Sequence, residues 1–286
     1  MDVKGVLRRL ACLIPDWIYL QIKYYMRTGR RLNLRNPVTY TEKLQWLKLH
    51  DRRPLYTTLV DKYAVKQYVA EKLGQEHIIP LIGVWDRAED IPFDTLPDQF
   101  VLKCTHDSGG LQICRDKAVF DFDAAKKKIQ AVLKSNFYWI SREWPYKNVR
   151  PRVIVERYME DAATGDTRDY KFFTFNGEPK VMYIATGRET GETYGDFFDM
   201  DFNHLDMVID HKQAPVMPQK PDTFEEMKEA ARKLAEGIPQ VRVDFYEIDG
   251  EFYFGELTFF HCGGFELLHP EELNFQWGQW IDLPTK

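Results

Sequence analysis

Residues 241–260, VRVDFYEIDGEFYFGELTFF, alternate in character on either side of an Asp-Gly pair, and this run constrains the fold more than any other stretch. Asp-Gly between two β-prone runs marks a hairpin, because both residues tolerate positive φ. Side chains alternate faces along a strand, so loop parity fixes which residues meet. A two-residue loop, Asp249-Gly250, opposes Val243 to Glu256 and scatters the charges. A three-residue loop, Ile248-Asp249-Gly250, with Gly250 left-handed, opposes Arg242 to Glu256 and Asp244 to Phe254. It gathers Arg242, Asp244, Glu256 and Thr258 on one face and Val243, Phe245, Tyr253, Leu257 and Phe259 on the other. That segregation of apolar residues selects the three-residue loop.

On this register Asp244 and Glu256 are same-face neighbours roughly 7 Å apart, near enough to hold one or two divalent ions. Oxygen donors without His or Cys point to magnesium, which completes its shell with water and phosphate oxygens. An ordinary Arg-Glu pair on a solvated sheet face is the plainer reading of the same residues.

The 286 residues hold no low-complexity tract, repeat or Pro/Gly/Ser linker, so length permits one large unit or two lobes. Cys12, Cys104, Cys114 and Cys262 form no CxxC, which suits free thiols in a reducing, cytoplasmic compartment and argues against structural zinc. Net charge is -5, yet residues 1–35 carry eight Lys/Arg against Asp2 and Asp16, so this arm is +6 and the remainder -11. The acidic body disfavours nucleic acid as a partner. In the arm Leu7, Leu10, Ile14, Trp17 and Ile18 can share one helical face, while Pro15 and Asp16 end the apolar run well short of a membrane span. A docked helix with a solvated basic face is the preferred reading; peripheral contact with the inner membrane surface is the alternative.

Elsewhere Thr39 and Glu42 form a capping box for a helix carrying Leu44, Trp46, Leu47 and Leu49. A helix over 60–73 ends at Gly74, and IIPLIGVW and FVLK read as strands, with LQIC returning antiparallel to the latter. Asp121 caps a helix through Leu133. RVIVERYM is a strand, and DYKFFTF and KVMYIAT form a hairpin about NGEP. Thr223 and Glu226 make a second capping box, before Phe224, Met227, Ala231 and Leu234 at helical spacing. Interleaved strands and helices predict an α+β fold.

Lys103 closes FVLK ahead of HDSGG, where its ammonium can meet phosphate oxygens while backbone N–H groups of the loop close over them. This is no Walker A loop, which places Lys after the glycines at a helix start. His106 could bond phosphate or be merely exposed. Glu156 sits at a strand edge whose backbone can read an adenine. Asp199-Met200-Asp201 is a D-x-D, the short motif by which glycosyltransferases hold a metal-bound nucleotide sugar.

Taken in order, DKYAVK, FVLKCTHDSGG, VIVERYM, DYKFFTFNGEPK and RVDFY…FGELTFF resemble the ATP-grasp superfamily, and within it the TupA-like ATP-grasp family of polysaccharide gene clusters. The resemblance runs from about Asn36 to the C-terminus. It implies two α+β lobes enclosing a Mg-ATP cleft, divided as a basic arm (1–35), an N-terminal lobe (36–98), a central ATP-binding subdomain with its lid (99–160) and a C-terminal lobe with the metal-binding hairpin (161–286). It assigns Lys62 and Lys103 to the phosphates, His106, Ser108, Gly109 and Gly110 to the lid, and Glu156 and Tyr158 to the adenine. Asp169 falls at the ribose-binding acid and Lys171 near the phosphates. Asp244, Glu256 and Thr258 become the Mg2+ ligands, with Thr258 where the family usually has Asn. Arg242 becomes the stabiliser of an oxyanion, and Arg188 a clamp for the acceptor carboxylate.

The implied chemistry is ATP-dependent ligation: a carboxylate attacks the γ-phosphate and an amine displaces phosphate from the acyl phosphate. The polysaccharide association implies an amine or amino acid joined to the carboxyl of a uronic-acid-type sugar or glycan. Trp139, Trp144 and Tyr146 would stack on a sugar ring or pack in the core. The alternatives are a glycosyltransferase using the D-x-D, and a non-catalytic ATP-grasp-like binding protein.

Overall fold

In a computed structural model of the protein, the described residues are 12–162, 168–187, 192–209 and 211–285. The chain divides into two compact units, residues 1–52 with 168–286, and residues 53–167. Both mix helices with antiparallel sheet, as the α+β expectation requires.

The first unit is built on a six-stranded sheet of order β10-β9-β5-β6-β7-β8, with β5 Arg168–Phe175, β6 Glu178–Thr186, β7 Tyr194–Phe198, β8 His204–Leu205, β9 Gln240–Ile248 and β10 Glu251–Thr258. Asn176 and Gly177 join β5 to β6, both at positive φ, which is the two-residue turn that matches the right-handed twist of the strands. One sheet face is apolar. Phe172, Val243, Phe245 and Leu257 on it are buried with Phe224, Met227, Ala231 and Leu234 of helix α7 (Phe224–Leu234), and the Phe172 ring lies 5.9 Å from both Phe224 and Phe245. Burial of each such side chain contributes about 1.5–3 kcal/mol, which fixes the face that β5, β9 and β10 must turn inward. The capping box expected at Thr223 and Glu226 does not form. The Thr223 N–H and hydroxyl both donate to Glu247 Oε2, tying the helix start to β9 instead.

The β9–β10 hairpin corrects the loop derived above. Its connection is the two-residue Asp249-Gly250, with φ of +53° and +78°, and Ile248 pairs with Glu251. The ladder runs through Phe245–Phe254, and then a β-bulge at Gly255 inserts one residue, so Glu256 opposes Asp244 and Thr258 opposes Arg242. The odd residue needed for parity lies in the strand, not the turn. The polar set shares a face as expected, with Asp244 and Glu256 directly opposite rather than diagonal. On the apolar side, Phe252 and Phe254 take the place expected of Tyr253, and Phe252 packs edge-on against Phe245 at 5.5 Å.

Helices α1 (Asp16–Thr28), α2 (Tyr40–His50) and α8 (Glu272–Gln279) belong to the same unit. α1 starts after Pro15 and stops at Gly29 in the left-handed region. It buries Leu20 and Tyr24 beside Leu32 and Phe265, so its packed face is not the one expected: Trp17 is 56% exposed, and Leu7 and Leu10 lie outside the described residues. The Thr39–Glu42 capping box at α2 forms as expected. α2 packs against α8, where Tyr40 meets Trp277 at 5.2 Å.

The second unit carries a four-stranded sheet of order β1-β4-β2-β3, with β1 Leu81–Trp85, β2 Phe100–Cys104, β3 Gln112–Cys114 and β4 Val153–Arg157. Its core joins Phe100, Leu102, Val153 and Val155 to Ala125 and Ile129 of α5 (Phe122–Leu133), which Asp121 caps through Ala124 N–H. The helix expected over 60–73 starts only at Val65: α3 (Pro54–Val60) ends where that run begins, and α4 (Val65–Leu73) follows after the Asp61 carboxylate accepts from the N–H groups of Tyr63 and Ala64. α6 is the short turn Tyr138–Ser141. These pairings differ from the four segments expected: β1 pairs with β4 across the boundary placed at 98–99, and α2 joins residues 168–286 rather than a lobe spanning 36–98.

Candidate functional site

In the first unit, strand pairing sets Lys171, Asp244 and Glu256 in one row across β5, β9 and β10, and Phe173, Arg242 and Thr258 in the next. Arg242 grips Asp244 with two bonds, Nε to Oδ1 at 2.7 Å and Nη2 to Oδ2 at 2.6 Å. Nη2 also reaches Thr258 Oγ1 at 3.1 Å and Glu256 Oε1 at 3.4 Å, and Nη1 donates to His261 Nδ1 at 2.6 Å. Lys171 donates to Asp244 Oδ2 at 2.8 Å and to Asp169 Oδ2. Asp169, Lys171, Arg242 and Asp244 are buried, whereas the Glu256 side chain is 39% exposed.

Burial disfavours a charged Asp244, but Arg242 and Lys171 outweigh it and hold the carboxyl below its ordinary range. Burial likewise opposes charge on Arg242, and Asp244 more than restores it. His261 is driven well below its usual value, first by burial and then by Arg242. Arginine only donates, so His261 Nδ1 is the acceptor and its proton sits on Nε2. Of five guanidinium N–H groups, these contacts engage four, leaving one on Nη1.

Asp244, Glu256 and Thr258 offer oxygen alone, which suits a hard divalent ion. Arg242 Nη2 touches an oxygen of all three, so the guanidinium itself holds the point where they meet; it is the type of donor atom that fits Mg2+. No cluster of three or more His, Cys, Asp or Glu side chains suited to a metal occurs among the described residues. Substrate phosphates and water would supply the remaining ligands.

In the second unit Glu156 is buried between two lysines, Lys66 Nζ at 2.5 Å and Lys103 Nζ at 2.6 Å. Burial alone raises a carboxyl, yet Lys103 and then Lys66 pull it below its ordinary value. Lys66, from the first turn of α4, is the lysine beside Lys103 that sequence reasoning missed, although its place four residues after Lys62 in DKYAVK was a usable signal. Lys62 instead donates to the Asp107 carbonyl through Nζ and to the Thr105 carbonyl through its backbone N–H at 3.1 Å.

The loop after β2 is partly ordered from within. Asp107 Oδ2 accepts from Gly109 N–H at 3.1 Å, and a Cβ on Gly110 would stand 3.0 Å from both that oxygen and Cys104 Cβ. His106 is buried with Nε2 3.1 Å from the Val132 carbonyl, anchoring the loop to α5, and Ser108, Gly109 and Leu111 are its exposed residues. Tyr158, just past β4, donates to Glu160 at 2.7 Å and carries Arg115 over its ring. Tyr146 is buried against Phe137, while Trp139, 37% exposed, lies under Arg142. Arg188 lies outside the described residues.

Asp199 of the D-x-D accepts from the N–H groups of Asp201 and Asn203 and from the Asn203 side chain, at 2.8–2.9 Å. Its carboxylate builds the turn between β7 and β8. His261, Gln45 and Lys48, which adjoin the Arg242 cluster, carried no signal beyond a His three residues past Thr258.

Among solved structures, the chain is similar to D-alanine–D-alanine ligase from Bacillus anthracis complexed with ATP, at 16% identity and a TM-score of 0.40 over 70% of this chain and 53% of that one. It is similar to the Helicobacter pylori D-alanine–D-alanine ligase at 13% identity and TM-score 0.43, over 85% and 69%. A biotin carboxylase complex from Campylobacter jejuni follows at 14% and 0.42, over 86% and 53%. The chain thus spans about half the length of the first of these. No curated protein matches it in sequence. The family model for TupA-like ATPgrasp matches residues 42–282, and with that match over most of its length the chain belongs to the TupA-like ATP-grasp family.

Proposed function

We propose that the protein is an ATP-dependent carboxylate–amine ligase that works through an acyl phosphate. The observation that carries this reading is that strand register gathers the oxygen donors Asp244, Glu256 and Thr258 on one sheet face beside Arg242, whose contacts leave one Nη1 N–H over. Each unit supplies its own part of the chemistry. Lys103 and Lys66, held by Glu156, are suited to nucleotide phosphate oxygens, and Asp244, Glu256 and Thr258 to a magnesium ion. Bound there, Mg2+ would neutralise charge on the transferring phosphoryl group.

A substrate carboxylate oxygen attacks the γ-phosphorus, the bond to the β-phosphate oxygen breaks, and ADP leaves. The amine nitrogen then attacks the acyl carbon and loses its proton, while the carbon–oxygen bond to phosphate breaks and phosphate departs with the electron pair. Arg242, fixed on Asp244 and His261, directs its spare N–H at the oxyanion of that second step. The carboxyl donor is a uronic-acid-type sugar or glycan and the acceptor an amine or amino acid, with Arg188 as the clamp for an acceptor carboxylate.

The test pairs uronic-acid sugars with amino acids and follows ADP release, using sugar labelled with 18O in its carboxyl group. Transfer of one label into phosphate is the expected result. UDP release from a sugar nucleotide, or ADP release without label transfer, would sink the proposal.

The arm is assigned a second task, peripheral contact with an anionic membrane. Ile22, Tyr25 and Met26 of α1 are 50–77% exposed in the same segment that carries the excess of basic residues. Because residues 1–35 also hold the buried Leu20, Tyr24 and Leu32, the test replaces only the exposed Ile22, Tyr25 and Met26 by serine, which should abolish sedimentation with anionic vesicles; a variant that still sediments refutes this.

A further inference from the structure

α2 buries the face it would be expected to leave wet. Thr41, Gln45 and Lys48, at i, i+4 and i+7, are all fully buried. An ammonium in such a place costs several kcal/mol unless its hydrogens are accepted. Lys48 Nζ donates to the Gly263 carbonyl at 2.6 Å and to Gln45 Oε1 at 2.9 Å, and lies 4.4 Å from the Phe265 ring centroid. Gln45 Nε2 donates to the Gly264 carbonyl at 2.6 Å. Two side chains of one helix thus capture consecutive carbonyls of the turn His261–Gly264.

Cys262, Gly263 and Gly264 all have positive φ, at 50°, 66° and 69°, which glycine adopts freely and Cys262 does not, so the turn is strained at Cys262 alone. Its fit to the helix is close: a Cβ on Gly264 would stand 2.7 Å from Gln45 Nε2 and 3.0 Å from Leu44 Cβ. The turn also carries His261, packed edge-on against Phe173 at 5.3 Å and accepting from Arg242 Nη1.

We propose that Gln45 and Lys48 are positioning residues for Arg242, acting through the His261–Gly264 turn and the imidazole of His261. The helix fixes the turn, the turn fixes the ring, and the ring fixes the outer edge of a guanidinium whose inner edge is fixed by Asp244. The catalytic benefit rests on the oxyanion role proposed above for Arg242; the mechanical hold does not.

The test compares Gln45→Leu, Lys48→Met, His261→Leu and His261→Asn in the full chain by NMR of the arginine guanidinium groups. In the parent protein Arg242 should give separate, slowly exchanging Nη lines, identified by their loss in Arg242→Lys. Those lines should merge in Gln45→Leu, Lys48→Met and His261→Leu, and persist in His261→Asn, whose Oδ1 can replace Nδ1 as acceptor. If Lys48→Met does not fold, Gln45→Leu decides alone, since it removes no charge. Resolved Arg242 lines in folded Gln45→Leu, or merged lines in His261→Asn, overturn the inference. Where ligation is measurable, Gln45→Leu should lower kcat at least tenfold and leave the KM for ATP within twofold. A protein that releases no ADP with any substrate pair would count against the proposed function, and the spectra would still decide this one.

Discussion

Deleting Gly255 should harm the protein less than replacing it. The four residues Phe252, Phe254, Leu257 and Phe259 are each at most 6% exposed and lie on both sides of the bulge. Without Gly255, Glu256 follows Phe254 directly, the ladder becomes regular, and both Phe254–Phe245 and Glu256–Asp244 survive in register. No buried group is lost, so the cost should stay below about 1 kcal/mol. Gly255→Val keeps the extra residue but places its Cβ 3.1 Å from the Asp244 carbonyl oxygen and from the Tyr246 ring. The strand cannot escape by flattening the bulge. That would expose Leu257 and Phe259, a loss of roughly 3–6 kcal/mol at 1.5–3 kcal/mol each, and bury Glu256 besides. The valine is therefore accommodated by strain, costing about 1–3 kcal/mol. Thermal unfolding resolves the two, since 1 kcal/mol shifts Tm by roughly 2–4 °C in a unit of this size. A deletion variant less stable than Gly255→Val would refute the register argument.

Glu156→Ala should cost about 3–5 kcal/mol, because it strands two half-buried lysines, and should weaken nucleotide binding; urea unfolding and an ATP titration report the two effects separately. The same carboxyl contributes to acid sensitivity. Its folded pKa lies below its unfolded value near 4.3, so its stabilisation is complete above that value and is lost as pH falls through the folded one. Glu156→Gln should flatten the stability curve below about pH 4.3, and an unchanged acid limb would contradict the assignment. Asp199→Ala should lower stability by about 1 kcal/mol through its lost turn bonds and leave ADP release intact. An activity lost with Asp199 would return weight to a metal-bound nucleotide sugar.

The expected hairpin, the polar face carrying Arg242, Asp244, Glu256 and Thr258, and the Thr39 and Asp121 caps were all legible, because alternation, Asp-Gly and capping residues act over a few positions. The bulge was not. Both loop parities satisfy local rules, and only the joint burial of Phe252, Phe254, Leu257 and Phe259 decides where the odd residue goes. Lys66 stood in a motif already in view, but its pairing with Glu156 depends on how α4 meets β4.

The sequence by itself determined the α+β class, the β2–β3, β5–β6 and β9–β10 hairpins and the family, since these rest on periodicity, turn chemistry and motif order. Only the tertiary structure decided that α2 lies with residues 168–286, that its polar stripe is buried, and that Gln45 and Lys48 close on the turn carrying His261. A buried lysine is indistinguishable from a solvated one along the chain. What separates them is the carbonyl oxygens brought to it from more than 200 residues away, and no local pattern encodes their arrival.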